Sequence, residues 1–441
     1  MEIPKIISEI PGPKSREILK EAKELLATTT REYSIVIEKA ENELIYDVDG
    51  NIFIDFAAGI AVANVGHRNP EVIKAIKNQL DFFIHSAPHD FYDIVQYKAA
   101  KKLLSIVPIN GAKKVFFGNS GTEAVEASLK IARRYTRRPV FVSFIRAFHG
   151  RTFGSLSLTA SKTVHRKNYF PLLPNTYHFP YAYCYRCPFG KRPEDCNVEC
   201  LWFLEEALDT FLPPDDVAAI IVEPIQGEGG YIVPPKKFFE RLWKIARTYN
   251  ILLIVDEVQT GFARTGKMFA IEHFGVNPDI MTMAKAIANG LPLGATTYRA
   301  ELDFPEPGAH SSTFGGNALS LAAMIAVIDY ILRNNLAKRA EKLGRKTIKF
   351  LKDLQEESKT IGDIRGLGLM IGVEFVRNKE TKEYNVKIRD KIVKISLKKG
   401  LILLPAGKSA IRIAPPLTIR EEFLEKGLEI FAESIKIAEK G

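Results

Sequence analysis

From about residue 65 the chain alternates short, almost wholly apolar runs with longer stretches of mixed polarity. Val115-Phe116-Phe117, Val140 to Phe144, Ala219 to Val222 and Ile251 to Val255 place apolar, mostly β-branched or aromatic residues at consecutive positions. Strands of this kind are apolar on both faces, as in a parallel sheet covered by helices, so the middle of the chain is predicted to be α/β. Upstream, residues 20 to 60 predict a helix and then short strands, with Ile45 to Asn51 entering a tight turn at Asp49-Gly50-Asn51. Downstream, an apolar helix from Ala318 to about Leu332 leads out of the α/β region. Strands at Leu367 to Phe375 and Leu401 to Pro405, separated by charged helices, predict a smaller α+β unit. The expected division is an N-terminal segment 1–64 contributing to the small domain, a large domain 65–320 and a C-terminal small domain 321–441.

Composition narrows the class. A length of 441 residues exceeds the usual single core, and 46% hydrophobic with 26% charged residues is ordinary for a globular protein. The net charge of +10 is dispersed, and its densest clusters (Arg133, Arg134, Arg137, Arg138; Lys398, Lys399) read as solvated helix faces. No nucleic-acid reader module accompanies that charge, so the basic surface is expected to favour anionic small molecules. Pro4, Pro11 and Pro13 interrupt the stretch Met1 to Leu19, which lacks a signal-peptide core, and no run is apolar enough to span a bilayer. A cytoplasmic enzyme, with neither nucleic-acid nor membrane partners, is the expectation.

Chemistry collects where the apolar runs end, and in a mainly parallel sheet strand C-termini are where ligands bind. Val115 to Phe117 is followed by Gly118-Asn119-Ser120-Gly121-Thr122-Glu123-Ala124, which opens a helix. Its free N–H groups and two hydroxyls could hold a phosphate, although Ser before Glu is equally an ordinary helix cap. Val140 to Phe144 leads to Arg146 through Thr152, where Phe148 reads as core and Arg151 as a surface ion-pair partner unless other groups converge there. Ala219 to Val222 runs into Glu223-Pro224-Ile225-Gln226-Gly227-Glu228. Ile251 to Val255 ends in Asp256, an acid that needs a cationic or protonated partner if buried. Finally, Ile280 to Ala284 delivers Lys285, either a snorkelling surface lysine or a desolvated amine suited to Schiff-base chemistry. A phosphate anchor, a buried carboxylate and a desolvated lysine together are what pyridoxal 5′-phosphate requires.

These motifs resemble the class III aminotransferases, the ω-amino subgroup of fold type I that includes 4-aminobutyrate and ornithine aminotransferases. The resemblance runs from Phe56-Ala57-Ala58-Gly59 to Arg412-Ile413-Ala414-Pro415 and rests on five motifs in order. They are Asn119 to Ala124, Phe148 to Thr152, Glu223 to Glu228, Asp256 to Gly261, and a lysine 29 positions after Asp256. It implies a mainly parallel seven-stranded sheet and the following roles. Ser120, Gly121 and Thr122 would hold the cofactor phosphate; Phe148 and Val258 would pack on the two ring faces. Asp256 would pair with the pyridine nitrogen and Gln259 with the phenolic oxygen, with Glu223 also in the cofactor site. Lys285 would be Schiff-base partner and proton shuttle. Thr313 would reach the phosphate of a neighbouring subunit, implying a homodimer or a dimer of dimers with shared sites. Arg151 would grip a distant substrate carboxylate, and Glu228 would mask Arg412 until an α-carboxylate arrives. Ile60 stands where ornithine-specific members tend to carry tyrosine, which points to a 4-aminobutyrate-like or broad amino donor with 2-oxoglutarate as acceptor and leaves ornithine aminotransferase as an alternative.

One segment departs from the familiar bacterial 4-aminobutyrate enzymes. Cys184, Cys187, Cys196 and Cys200 are the only cysteines of the chain and fall within 17 residues. The segment resembles an insert of amino-acid racemases and epimerases of the same fold family, so racemisation of a neutral amino acid is the alternative reaction. The spacing suits disulfides, zinc or free thiols; no catalytic metal is expected, and the segment is predicted to be a stabilising surface insert.

Overall fold

The computed structural model describes residues 3–192 and 194–440. At its centre is a seven-stranded sheet in the order Lys113–Gly118, Gly294–Arg299, Ile280–Met283, Leu252–Asp256, Val217–Val222, Val140–Phe144, Thr176–Phe179. The pairs from Ile280–Met283 to Thr176–Phe179 are parallel. Gly294–Arg299 is antiparallel to both of its neighbours, so the sheet is mixed at one side.

The consecutive apolar runs are explained by burial on both faces. Val142, Phe144, Ile220, Val222, Leu253 and Val255 join the core on one side of the sheet. Phe141, Ala219, Ile221, Leu252 and Ile254 alternate with them and pack on the other side with Val125, Leu129 and Ile131 of the helix Gly121–Thr136. Completely burying each such side chain contributes about 1.5–3 kcal/mol, and substituting a polar residue on either face would remove that contribution.

Two smaller sheets complete the fold. Ile37–Glu41, Leu44–Asp47 and Ile52–Asp55 form an antiparallel set, extended by parallel pairing of Leu401–Ile402 with Ile54 and Asp55. Ile361–Leu367, Met370–Phe375, Ala410–Ile413 and Leu404–Ala406 form the other. The single strand expected over Leu367 to Phe375 is instead the second arm of a hairpin. Gly368, at φ 55°, turns the chain there, and a Cβ on it would lie 2.4 Å from the Thr265 carbonyl carbon. The apolar helix is Ala318–Arg333, one residue beyond the expected end. Among the described residues no single helix is long and apolar enough to cross a membrane.

Candidate active site

The strand ends meet around a cavity of about 430 Å³, within the usual range for small-molecule sites. Ser120, Gly121, Thr122, Phe148, Arg151, Glu223, Glu228, Asp256, Val258, Gln259 and Lys285 all line it, so eleven residues singled out from five separate stretches of sequence converge. Arg412 lies behind Glu228, while Ile60 and Thr313 are outside this lining and exposed to solvent.

Ser120 caps the helix Gly121–Thr136, accepting from the Glu123 N–H at 3.3 Å, and the Glu123 carboxylate accepts from the Asn119 N–H at 2.7 Å. The helix-cap reading of this motif is seen directly, and it leaves the first-turn N–H groups available to an anion. The cap uses Glu123 and the serine hydroxyl, while the first-turn N–H groups of Gly121 and Thr122 have no intrahelical acceptor and form the positive end of the helix dipole. Gly121 has to be glycine: a Cβ would sit 2.9 Å from Val258 Cγ1. The Thr122 hydroxyl bonds Thr152 Oγ1 at 2.7 Å and Ser155 Oγ at 2.6 Å.

Asp256, only 4% exposed at the end of its strand, receives the partner its burial demands. His149 Nδ1 lies 2.8 Å from its Oδ2, and the Val258 N–H donates to its Oδ1 at 3.0 Å. His149 is the residue that motif reading passed over, although it adjoins Phe148 and a buried acid with no nearby lysine or arginine in sequence called for it. Glu223 ties two site loops together, accepting from the N–H groups of Phe148 and Gly227, both at 2.9 Å. Burial pushes its carboxyl up to about 7, with neighbouring Asp256 adding to the rise.

Lys285 follows the strand Ile280–Met283 at φ 46°, a left-handed conformation uncommon for a non-glycine residue. It forms no side-chain hydrogen bond or ion pair among the described residues. Burial lowers its pKa despite the opposing pull of Asp256 and Glu223, which favours the neutral, nucleophilic amine. Gln259 Oε1 is also buried without a partner. Gly227 leaves room for that amide, since a Cβ there would come within 2.4 Å of Gln259 Nε2.

At the other end of the cavity Glu228 is held by two cations. Arg412 Nη2 donates at 2.8 Å and Lys162 Nζ at 2.6 Å. Burial alone would raise the Glu228 carboxyl, but the two cations bring it below the usual range. Lys162 had no sequence signal, because Ala160-Ser161-Lys162 carries no periodic pattern and reaches Glu228 only through the fold. Arg151 lies over the Phe148 ring at 5.0 Å.

The chemistry of this donor set fits pyridoxal 5′-phosphate. An open helix N-terminus suits its phosphate, a buried carboxylate its ring nitrogen, an unpartnered amide oxygen or its nitrogen a ring substituent, and an unpartnered lysine its aldehyde carbon.

Comparison with known proteins gives the same assignment. The chain is 42% identical over 408 residues to the leucine/methionine racemase of Thermococcus litoralis, covering 92% of each chain. It is 40% identical over 441 residues to the 4-aminobutyrate aminotransferase of Mycobacterium leprae, covering 97% of each. Among solved structures it superposes on the omega transaminase from Pseudomonas jessenii in complex with PMP with a TM-score of 0.90 at 27% identity, covering 96% of this chain and 98% of that one. The family model for class-III aminotransferases matches residues 26–435, and the chain belongs to that family of pyridoxal-phosphate enzymes.

Proposed function

We propose that the protein transfers an amino group from a 4-aminobutyrate-like or broad amino donor to 2-oxoglutarate. The observation that supports this reading is that Arg151 lines the cavity while Glu228, also in its lining, is paired with two further cations, Lys162 and Arg412. A donor with a single distant carboxylate needs one cation, whereas 2-oxoglutarate with two carboxylates needs a second.

When bound, pyridoxal phosphate would supply an aldehyde for the substrate amine and a ring that takes up the electron pair released at the carbon bearing that amine. The chain supplies the rest. Ser120, Gly121 and Thr122 bind the phosphate, and Phe148 and Val258 pack against the ring. Asp256 keeps the ring nitrogen protonated and His149 orients Asp256; Gln259 reaches the phenolic oxygen. Lys285 would carry the cofactor at rest and shuttle the proton of the substrate carbon that bears the amine. Arg151 grips the distant carboxylate. Glu228 releases Arg412 to an incoming α-carboxylate and keeps Lys162 as its remaining partner.

Racemisation of a neutral amino acid is the second reading, favoured by the identity to the Thermococcus litoralis racemase. It needs the proton returned to the opposite face of Cα. Incubating purified holoenzyme with each amine, with and without 2-oxoglutarate, separates the two. Glutamate formed only with the acceptor supports transfer; loss of optical activity with no keto acid present supports racemisation and overturns transfer.

Thr313 adjoins exposed Phe314, whose ring lies against His85 next to exposed Ile84. A second copy of this chain covering that apolar surface would bring Thr313 toward the neighbour's phosphate site. We assign the cytoplasm as its location on the same footing as the dimer.

A further inference from the structure

The loop that carries Glu228 is anchored from outside the cavity. Its carbonyl at Gly230 accepts from Arg365 Nη2 at 2.6 Å and Nε at 3.1 Å, and the Tyr231 carbonyl accepts from Nε at 3.1 Å. The Glu228 carbonyl itself accepts from the Gly407 N–H at 2.8 Å. Arg365 projects from the strand Ile361–Leu367 and its side chain is only 10% exposed. Asp363 Oδ2 at 2.6 Å and Glu374 Oε2 at 2.8 Å fix its guanidinium. A planar fork with acceptors on both sides has one low-energy orientation, which a rotatable ammonium would not share.

Glu374, 1% exposed, is in turn claimed by the segment that bears the cysteines. The Tyr183 hydroxyl donates to Glu374 Oε2 and Arg186 Nε to Oε1 at 2.6 Å. Tyr183 also lies under Arg365, with the guanidinium 5.0 Å from its ring centre, and Arg186 stacks 3.6 Å over the ring of Tyr384. The residues that open the cysteine segment are therefore buried in a polar network, and this network ends at the peptide groups two and three residues beyond Glu228. Pro188, Gly190, Lys191 and Asn197 of the same segment are exposed, so it lies at the surface while Tyr183 and Arg186 anchor its start in this brace.

We infer that Arg365 is a positioning residue for the Glu228–Arg412 pair, and that Tyr183 and Arg186 hold it in place through Glu374. The inference rests on the proposed masking role of Glu228 and deepens it. If the brace loosens, Glu228 drifts from Arg412 and the cavity favours substrates with an α-carboxylate, as removal of Glu228 would.

The test is the ratio of kcat/KM for 4-aminobutyrate to that for L-glutamate in holoenzyme half-reactions. Arg365→Lys keeps the charge and loses the fork; Tyr183→Phe removes one hydroxyl and serves if the first variant does not fold. The ratio should fall about tenfold in Arg365→Lys, as expected for losing hydrogen bonds from a charged group, and less in Tyr183→Phe. In a Glu228→Ala background Arg365→Lys should change it no further. A brace that only stabilised the fold would lower thermal stability and leave the ratio alone. An unmoved ratio in both Arg365→Lys and Tyr183→Phe, with Glu228→Ala still effective, overturns the inference and leaves the masking role standing. Additive effects in the double variant overturn it too, because Arg365 would then act elsewhere. A ratio unmoved by Glu228→Ala overturns the masking role and this inference with it.

Discussion

At the Lys285 end of the cavity the amine has no ion pair or hydrogen bond among the described residues, and burial lowers its pKa. At the Glu228 end a single carboxylate is shared by Arg412 and Lys162, and its pKa is held down. The two groups line one cavity, yet burial disfavours the charge on the first and two cations favour the charge on the second. A nucleophile is useful only when its charge is easily given up, and at Lys285 burial outweighs the pull of the nearby Asp256 and Glu223 carboxylates, neither of which bonds the amine. A gate is useful only when its charge persists and its partner can be exchanged, so its surroundings supply two. Desolvation acts at both ends: at Lys285 it outweighs the pull of Asp256 and Glu223, while at Glu228 the direct bonds to Arg412 and Lys162 outweigh it.

The comparison breaks first at Lys285. Lys285→Ala should reduce turnover by about 10³-fold or more, because one residue supplies both the covalent anchor and the proton transfer. The visible absorption of bound cofactor should disappear with it. Kinetics and an absorption spectrum of the purified variant check this, and activity within tenfold of wild type would remove Lys285 from its role.

Asp256→Asn should cost less, about 10²-fold in turnover, since the ring nitrogen loses its charge partner while the strand end keeps its shape. His149→Phe should act in the same direction with a smaller loss, because Asp256 would remain but be unheld. Steady-state rates of the two single variants and the double variant show whether His149 works through Asp256: the double should be no slower than Asp256→Asn alone.

Glu228→Ala sharpens the gate side. It should leave Arg412 free and shift the preference between ω- and α-amino substrates about tenfold towards the latter, read as a ratio of kcat/KM values. An unchanged ratio would remove the contrast between the two ends.

Much of this site is legible in the amino-acid sequence, for a physical reason. Strands buried on both faces are written as unbroken apolar runs, and polar residues can follow only where such a run leaves the core, so Glu223, Asp256 and Lys285 stand out. Groups that act by pairing across the fold leave no such mark. Lys162 meets Glu228 from 66 residues away, and Arg365 meets the Glu228 loop from 135 residues away. The strand Gly294–Arg299 is also hidden, because Gly294-Ala295-Thr296-Thr297 is neither an apolar run nor an alternating one. Its burial comes from pairing with Lys113–Gly118 and Ile280–Met283. The destination of the cysteine segment is illegible for the same reason. Cys184, Cys187, Cys196 and Cys200 line one small cavity as free thiols, and among the described residues no group is arranged to hold a metal.

Two smaller effects follow from burial. Glu223 has a folded pKa of about 7, above the 4.5 of an exposed glutamate. Its contribution is thus fully present below pH 4.5 and is lost as the pH rises through 7. Relative to Glu223→Gln, which stays neutral, the wild type should lose stability between about pH 5 and pH 8; melting midpoints of both proteins across that range check the sign, and a constant difference would contradict it. Replacing the four cysteines by serine should lower the melting midpoint by a few degrees and leave the cofactor spectrum at moderate temperature unchanged. Loss of cofactor from a still-folded variant would mean the segment shapes the cofactor end as well as the gate.

In the proposed reaction one unpartnered lysine at a strand end, Lys285, carries the cofactor. Reducing the holoenzyme with borohydride and mapping its peptides by mass spectrometry tests this directly. A single modified peptide, with the pyridoxyl group on Lys285, is the predicted result; modification of another lysine, or of none, would contradict the account.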